Sequence, residues 1–212
     1  MIRTPCMVAI LLLFFSIGCE EEVKDTTNPY RPYFSLEEAL KDSATAEYLI
    51  LEKIGDSLSP DVGRLQNLRS LGVSRSQIQF LPNELIRLQK LVDVSLPYNR
   101  LGSIPPELFE LKNIYQIFLN HNRIASIPEE IARTRSLVIL DLGENQFTSF
   151  PDRQLHLGSL KSLYLDSNRI SIIDVDSLDA PNLELLSLTG NPIPAYMREQ
   201  LRQRLPNIEL RF

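Results

Sequence analysis

Only two histidines, His121 and His156, and two cysteines, Cys6 and Cys19, occur in the 212 residues. Neither histidine belongs to a metal-ligand spacing such as His-Glu-x-x-His, so no metal or other cofactor is expected. There is no glycine-rich loop to cradle a phosphate, and no Gly-x-Ser-x-Gly elbow to present a nucleophilic serine. Positive charge is in deficit: 22 Lys and Arg stand against 27 Asp and Glu, a formal net charge of -5, the wrong sign for binding phosphate backbones. Nucleic acid is therefore not an expected partner. The absence of any Asn-x-Ser/Thr acceptor speaks against a glycosylated eukaryotic ectodomain. The longest apolar run, Met7 to Gly18, falls short of the ~20 residues that a membrane-spanning helix needs.

What the chain has in abundance is periodicity. From Leu91, the apolar residues Val94, Leu96, Leu101 and Ile104 are joined by Asn99 and Pro105. The same spelling returns 23 residues later from Ile114, again from Leu137, and from Leu160 with Asp174 in the proline position. A further copy starts at Leu183, an earlier one at Leu68 has Ser76 where asparagine belongs, and a worn one surrounds Tyr48, Ile50 and Leu58. A fixed period of this kind predicts a solenoid of seven units, because one unit cannot bury its apolar face without a neighbour.

This spelling, Leu-x-x-Leu-x-Leu-x-x-Asn-x-Leu-x-x-Leu-Pro, resembles the leucine-rich repeat family over roughly residues 45 to 212. The resemblance implies an α/β-type solenoid: a horseshoe with a parallel concave sheet and an irregular convex side. It also implies a non-enzymatic module that binds a ligand on the concave face. Elementary chemistry gives reasons for the spelling. In Leu-x-Leu the apolar residues point to one side of a short strand and the intervening ones to the other. A buried asparagine amide can satisfy the backbone of the turn that follows, so Asn99, Asn122, Asn145, Asn168 and Asn191 should form a ladder. The prolines suit a convex segment that returns extended rather than helical.

Both ends of the array are marked. Ser35-Leu-Glu-Glu38 spells a capping box, so residues 35-44 are expected to form an N-terminal helical cap ahead of repeats at 45-190. Residues 191-212 should close the other end with a helix bearing Tyr196, Met197, Leu201 and Leu205, then a strand through Ile208, Leu210 and Phe212. The domain is expected to be complete at residue 212. Residues 1-18 read as a signal peptide, with Arg3 before the apolar run and the small residues Ser16 and Gly18 before Cys19. Ser16-Ile-Gly-Cys19 resembles a bacterial lipobox with serine in place of the preferred leucine, and implies lipidation of Cys19. Ordinary cleavage at the same point would instead leave Cys19 as an unpaired exported thiol. Charged, proline-containing residues 19-34 read as a tether. The acidic run Glu20-Glu21-Glu22 is similar to surface-export signals of some Gram-negative lipoproteins, and equally reads as the start of a solvated linker. The expected location is a Gram-negative envelope, with the membrane touched through a lipid anchor only.

Positions three, five and seven of each unit should face the concave side, with position eight at its rim. The fifth-position column reads Leu49, Gly72, Ser95, Phe118, Asp141, Tyr164 and Ser187. The seventh-position column runs from Leu51 through Gly143 and Asp166, and the rim from Glu52 through Tyr98, His121 and Glu144. Phe118, Asp141 and Tyr164 should thus stand side by side, flanked by Asp166 and Glu144. Together with Tyr98 and His121 they form the candidate ligand-binding set for a protein, peptide or glycan. β-propensity and solubility alone would also put such residues there, and an envelope scaffold with no specific concave ligand is the alternative. Paired carboxylates for glycoside hydrolysis are not expected on a flat strand face without a cleft. A stripe of Arg100, Arg123 and Arg169 beyond the asparagines reads as a solvated rim.

Overall fold

Alternation of buried and outward residues every 23 positions produces a single sheet in the computed structural model, which describes residues 31–151, 158–176, 178 and 181–212. The expected signal peptide, Cys19 and His156 lie outside the described residues. Nine strands follow one another in chain order: β1 Pro32–Tyr33, β2 Tyr48–Glu52, β3 Ser70–Ser74, β4 Asp93–Ser95, β5 Gln116–Phe118, β6 Ile139–Asp141, β7 Ser162–Tyr164, β8 Leu185–Ser187 and β9 Glu209–Arg211. Every neighbouring pair is parallel. A parallel sheet requires that each unit carry the chain back to its starting edge, and the apolar residues beyond the asparagine do this while filling the core. Val94, Leu96, Leu101 and Leu108 of one unit are fully buried, as are Ile117, Leu119, Ile124 and Ile131 of the next.

The return path differs from the extended segment expected. Pro82, Pro105 and Pro128 hold extended backbone, but the chain then closes into 3₁₀ turns at Asn83–Arg87, Pro106–Glu110 and Glu129–Arg133, preceded by one at Pro60–Arg64. In each the bond runs from residue i+3 back to the residue at the cap, as Leu85 N–H to Pro82 C=O and Leu108 N–H to Pro105 C=O. The tight pitch turns Val62, Leu85, Leu108 and Ile131 inward at equivalent places, joined by Phe109 in the third turn. Proline accordingly sets the entry to a turn, rather than the course of a whole extended segment.

Two strands flank the seven repeat strands. β9 was expected, and in it Leu210 packs on the core between outward Glu209 and Arg211. β1 falls inside residues 19-34, the expected tether, and corrects that boundary: Pro32 and Tyr33 pair with Tyr48 and Leu49. Tyr33 is buried, and its hydroxyl donates to Asp42 Oδ2 at 3.0 Å. Helix α1, Leu36–Lys41, begins at Ser35, whose hydroxyl accepts the Glu38 N–H at 3.5 Å, and it buries Ala39 beside β1 and β2. Helix α2, Ala195–Arg204, buries Met197 and Leu201. Tyr196, expected on that apolar stripe, is 65% exposed because it precedes Met197 by one residue and so points about 100° away from it.

The asparagine ladder holds this stack together. Asn122 Nδ2 donates to Leu119 C=O and Asn120 C=O of its own unit at 3.0 and 3.3 Å, and to Leu96 C=O of the preceding unit at 2.9 Å. Its Oδ1 accepts the Leu101 N–H of the preceding unit at 3.0 Å. Asn99, Asn145, Asn168 and Asn191 repeat the cross-unit donor and acceptor bonds. Each amide therefore ties two adjacent turns whose backbone groups are shut off from water.

Ser76 does part of the same work: its hydroxyl accepts the Ile54 N–H at 3.1 Å and donates to Ser74 C=O at 3.0 Å. One hydroxyl hydrogen cannot also reach back to a strand carbonyl of the preceding unit, as both hydrogens of an amide allow. Asn122→Leu should cost roughly 1–3 kcal/mol by stranding these groups, and an unchanged melting temperature would contradict the ladder. Ser76→Asn should complete the ladder and stabilise the protein by about 0.5–1.5 kcal/mol in a denaturant titration; a lower midpoint would show that the site cannot accommodate the amide.

Candidate ligand-binding face

Strand register brings the predicted residues together. Phe118 pairs with Asp141, and Asp141 with Tyr164. With ~4.8 Å between strands, the three span about 10 Å across the middle of the open face. Asp166 lies two residues beyond Tyr164, and Glu144 three beyond Asp141.

The first unit departs from the expected columns. Ile50, and not Leu49, aligns with Gly72, and Glu52, and not Leu51, aligns with Ser74. Leu49 and Leu51 are buried, and the rim residue is Lys53 rather than Glu52. The step from this unit to the next is 22 residues, and burial of the two leucines decides the register.

The rim is more constrained than a freely variable position. Lys53, Arg75, Tyr98, His121, Glu144 and Ser167 all adopt the left-handed backbone region with φ between 48° and 56°, and Gly190 takes φ 75° at the equivalent place. Such a conformation costs a residue with a Cβ roughly 1–2 kcal/mol, which the flanking strand and asparagine bonds must offset. Its effect is to stack successive rim side chains. The Tyr98 and His121 rings lie 3.9 Å apart between centroids at 16° between planes, and His121 Nδ1 lies 2.7 Å from Glu144 Oε2. Tyr98 is 49% exposed, leaving the outer face of this stack open to solvent.

The carboxylates are partly engaged. Asp141 Oδ1 accepts the Gly143 N–H at 2.9 Å, and a Cβ at position 143 would stand only 3.2 Å from that oxygen, so glycine gives the aspartate room to fold back. Asp166 Oδ1 accepts from the Ser187 hydroxyl and from the Thr189 N–H at 2.8 Å. Burial pushes Asp141 up to about 6; the Gly143 N–H opposes this, and the charges of Asp166 and Glu144 add to it while His121 opposes.

One pair of residues on this face carried no signal in the repeat spelling. Asp93 and Gln116, third-position residues paired across β4 and β5, are 3% and 4% exposed. Both Asp93 carboxylate oxygens and Gln116 Oε1 lack a hydrogen-bond partner. Burial pushes Asp93 up to about 6; Arg69 offsets part of this, as does the Gln116 amide, which lies near the carboxylate but outside hydrogen-bonding geometry. A second pattern runs through the units at multiples of 23 residues. Asn67, Asn113, Ser136 and Asn182, each just before the first apolar residue of its unit, donate side-chain hydrogen bonds to Ala44, Gln89, Lys112 and Gly158 C=O. This outer ladder is exposed and serves the scaffold. Arg100, Arg123 and Arg169, past the other end of the strands, are exposed, and their backbone N–H groups bond the preceding unit. Among the described residues no group of three or more His, Cys, Asp or Glu is placed to hold a metal ion, and no helix is long and apolar enough to cross a membrane.

The leucine rich repeat family pattern matches residues 89–147 and 135–193. Among solved structures the chain is similar to a leucine-rich repeat protein of Leptospira interrogans, at 26% identity and TM-score 0.59 over 79% of this chain and 47% of that one. An internalin of Listeria monocytogenes aligns at 21% identity and TM-score 0.65, covering 85% of this chain and 51% of its own, a likeness of fold alone. The ectodomain of the membrane receptor kinase GASSHO1/SCHENGEN3 of Arabidopsis thaliana, in complex with CASPARIAN STRIP INTEGRITY FACTOR 2, aligns at 29% identity and TM-score 0.59, over 76% and 20%. The chain thus spans about half the length of the first two. No curated protein sequence matches it at a significant level.

The two raised carboxylates make a sign prediction. Their folded-state values lie above the unfolded ones, so the folded chain holds these protons more tightly. The stability they contribute is therefore complete below about pH 4 and is lost as pH rises through about 6. Asp93→Asn should raise stability at pH 7.5 by on the order of 1–3 kcal/mol and flatten its slope between about pH 4 and 6. Thermal melts that show neither change would mean that Asp93 is well solvated or paired.

Proposed function

Since the chain carries the leucine-rich repeat fold, we propose that it is an exported, non-enzymatic binding module whose open sheet face receives a protein, peptide or glycan ligand. The observation that carries this reading is the side-by-side placement of Phe118, Asp141 and Tyr164, with the Tyr98–His121–Glu144 stack along one rim. Aromatic faces supply contact area at small entropic cost, and carboxylates supply directional acceptors. The plant receptor-kinase ectodomain, solved in complex with CASPARIAN STRIP INTEGRITY FACTOR 2, supports it by analogy. Catalysis fits poorly, because Asp141 and Asp166 each spend one oxygen on strand-end backbone and hydroxyl donors.

Size bears on the ligand. Nine strands give eight gaps, about 38 Å, and most strands are three to five residues long, so the open face measures roughly 400–600 Å². A standard protein interface takes about 800 Å² from each partner. An extended peptide or a short glycan fits within the face; a folded protein must also grip the rims.

The N-terminal segment completes the proposal. Residues 1-18 act as a signal peptide, Cys19 becomes the lipidated first residue of the mature chain, and the anchor holds the binding face at a Gram-negative envelope, at or near the cell surface. Radiolabelled palmitate should enter the wild-type chain and not Cys19→Ser; equal labelling would remove the anchor. The binding reading is tested by screening the full chain on glycan and peptide arrays beside a triple variant, Phe118→Ala with Asp141→Ala and Tyr164→Ala. A ligand whose signal falls at least tenfold in the variant establishes the face as a receptor surface. Ligands bound equally by both, or none at all, point to an envelope scaffold.

A further inference from the structure

We propose that the outer edge of β9 pairs with the β9 of a second copy of this chain, antiparallel and in the register that sets Leu210 opposite Leu210, so that two solenoids join into one continuous sheet. The pairing stands apart from the ligand reading, because it involves none of the residues in the candidate ligand-binding set.

The two ends of the solenoid are finished differently. At the first end Tyr33 is buried, and α1 packs beside β1 and β2. At the last end Leu210 and Phe212 continue the columns of Leu186 and Leu188, which are 0% and 1% exposed, yet both are only partly buried, as are Leu205 and Ile208 before them. A solenoid unit buries its apolar side against the next one, and among the described residues no strand follows β9 in the sheet. Phe212 is held at this end by the guanidinium groups of Arg198 and Arg202, 5.7 and 5.2 Å from its ring centroid.

The backbone of β9 is bonded on one side. Glu209 N–H donates to Glu184 C=O, and Arg211 C=O accepts from Leu188 N–H. Across a trans peptide the C=O of one residue and the N–H of the next point opposite ways, and no peptide bond among the described residues is cis. Ile208 C=O and Phe212 N–H therefore face the open edge, and strand alternation turns both backbone groups of Leu210 the same way. Such a row is a template for another strand.

Backbone, apolar side chains and charge all select an identical strand. In an antiparallel pair centred on Leu210, Leu210 N–H of each copy meets Leu210 C=O of the other, and Phe212 N–H of each meets Ile208 C=O of the other. Residues directly opposite share a face, so Ile208 stands against Phe212 on the apolar side. On the open side Glu209 stands against Arg211 at both symmetry-related places, as a two-fold axis requires. Charges on an edge strand usually repel pairing, but here opposite signs flank the centre and the symmetric register attracts. A slip of one residue puts leucine against charge, and a slip of two sets Arg211 against Arg211 or Glu209 against Glu209. The existing ion pair between Glu209 Oε1 and Arg211 Nη2, 2.7 Å within the strand, is at least half exposed on both side chains and so lies open to the second copy. Head-to-tail stacking is the poorer match, since β1 is two residues long and begins with Pro32, which has no N–H to give. In the symmetric pair the two open faces look the same way and together measure roughly 800–1,200 Å², the scale that a standard interface takes from one partner.

Sedimentation equilibrium of the full chain from about 1 to 200 µM brackets the ~10 µM dissociation constant that an interface below standard size supports. The mass should rise from 24.2 kDa towards twice that value. Glu209→Arg alone and Arg211→Glu alone each set like charges across the axis, and each should move the midpoint at least tenfold higher. Mixing these two variants should restore association, as should both substitutions in one chain, because opposite signs then face each other again. Melting curves check that each variant folds. A dimer that neither reversal weakens, or single variants that do not recover on mixing, would overturn the proposal. A chain that stays monomeric throughout would overturn it too, and leave the β9 edge to a different occupant.

Discussion

One side-chain amide per unit carries the architecture. At the end of each strand the chain must leave the sheet, and the carbonyls and N–H groups at that corner are buried between two units. Asparagine is short enough to stay inside the corner and has both donors and an acceptor, so a single residue closes bonds to its own turn and to the one before. The apolar residues drive stacking without direction, whereas the amides give it a register. Ser76 marks where the rule is relaxed: it stands next to the worn first unit, and the unit-to-unit step there is 22 residues.

The same corner decides what is displayed. Turning immediately before the asparagine forces the eighth residue into the left-handed region in unit after unit. Side chains at that place stack along the rim, which is how a tyrosine, a histidine and a glutamate from three successive units come to touch. Local strain in the backbone is thus converted into an ordered row of functional groups, held by rigid neighbours rather than by a flexible loop.

Negative charge is the second constraint on the open face. A parallel sheet sets equivalent positions ~4.8 Å apart, so carboxylates in neighbouring units cannot avoid one another. Asp141 feels Asp166 and Glu144, and Asp93 is buried with Arg69 and the Gln116 amide offsetting only part of the cost. Both sites stabilise the protein less when ionised than when protonated. Burial and like charge thus set a cost at these positions that the apolar core and the asparagine ladder must offset.

Strand order, the buried columns, the asparagine ladder and the row Phe118, Asp141 and Tyr164 were legible in the residues alone, because a constant period makes sequence neighbours at 23 residues into spatial neighbours. The first unit was misread, since its 22-residue step and missing asparagine left only apolar residues to set the register, and Leu49 and Leu51 fit inside as well as Ile50 would. The 3₁₀ returns and strand β1 depended on packing against the next unit, which no single repeat spells out. Asp93 and Gln116 were invisible for a deeper reason: aspartate in a third position is ordinary, and only the tertiary structure removes its water. Periodicity determines who stands beside whom; solvation, which depends on everything packed around a group, determines which of those neighbours carry unspent interaction energy.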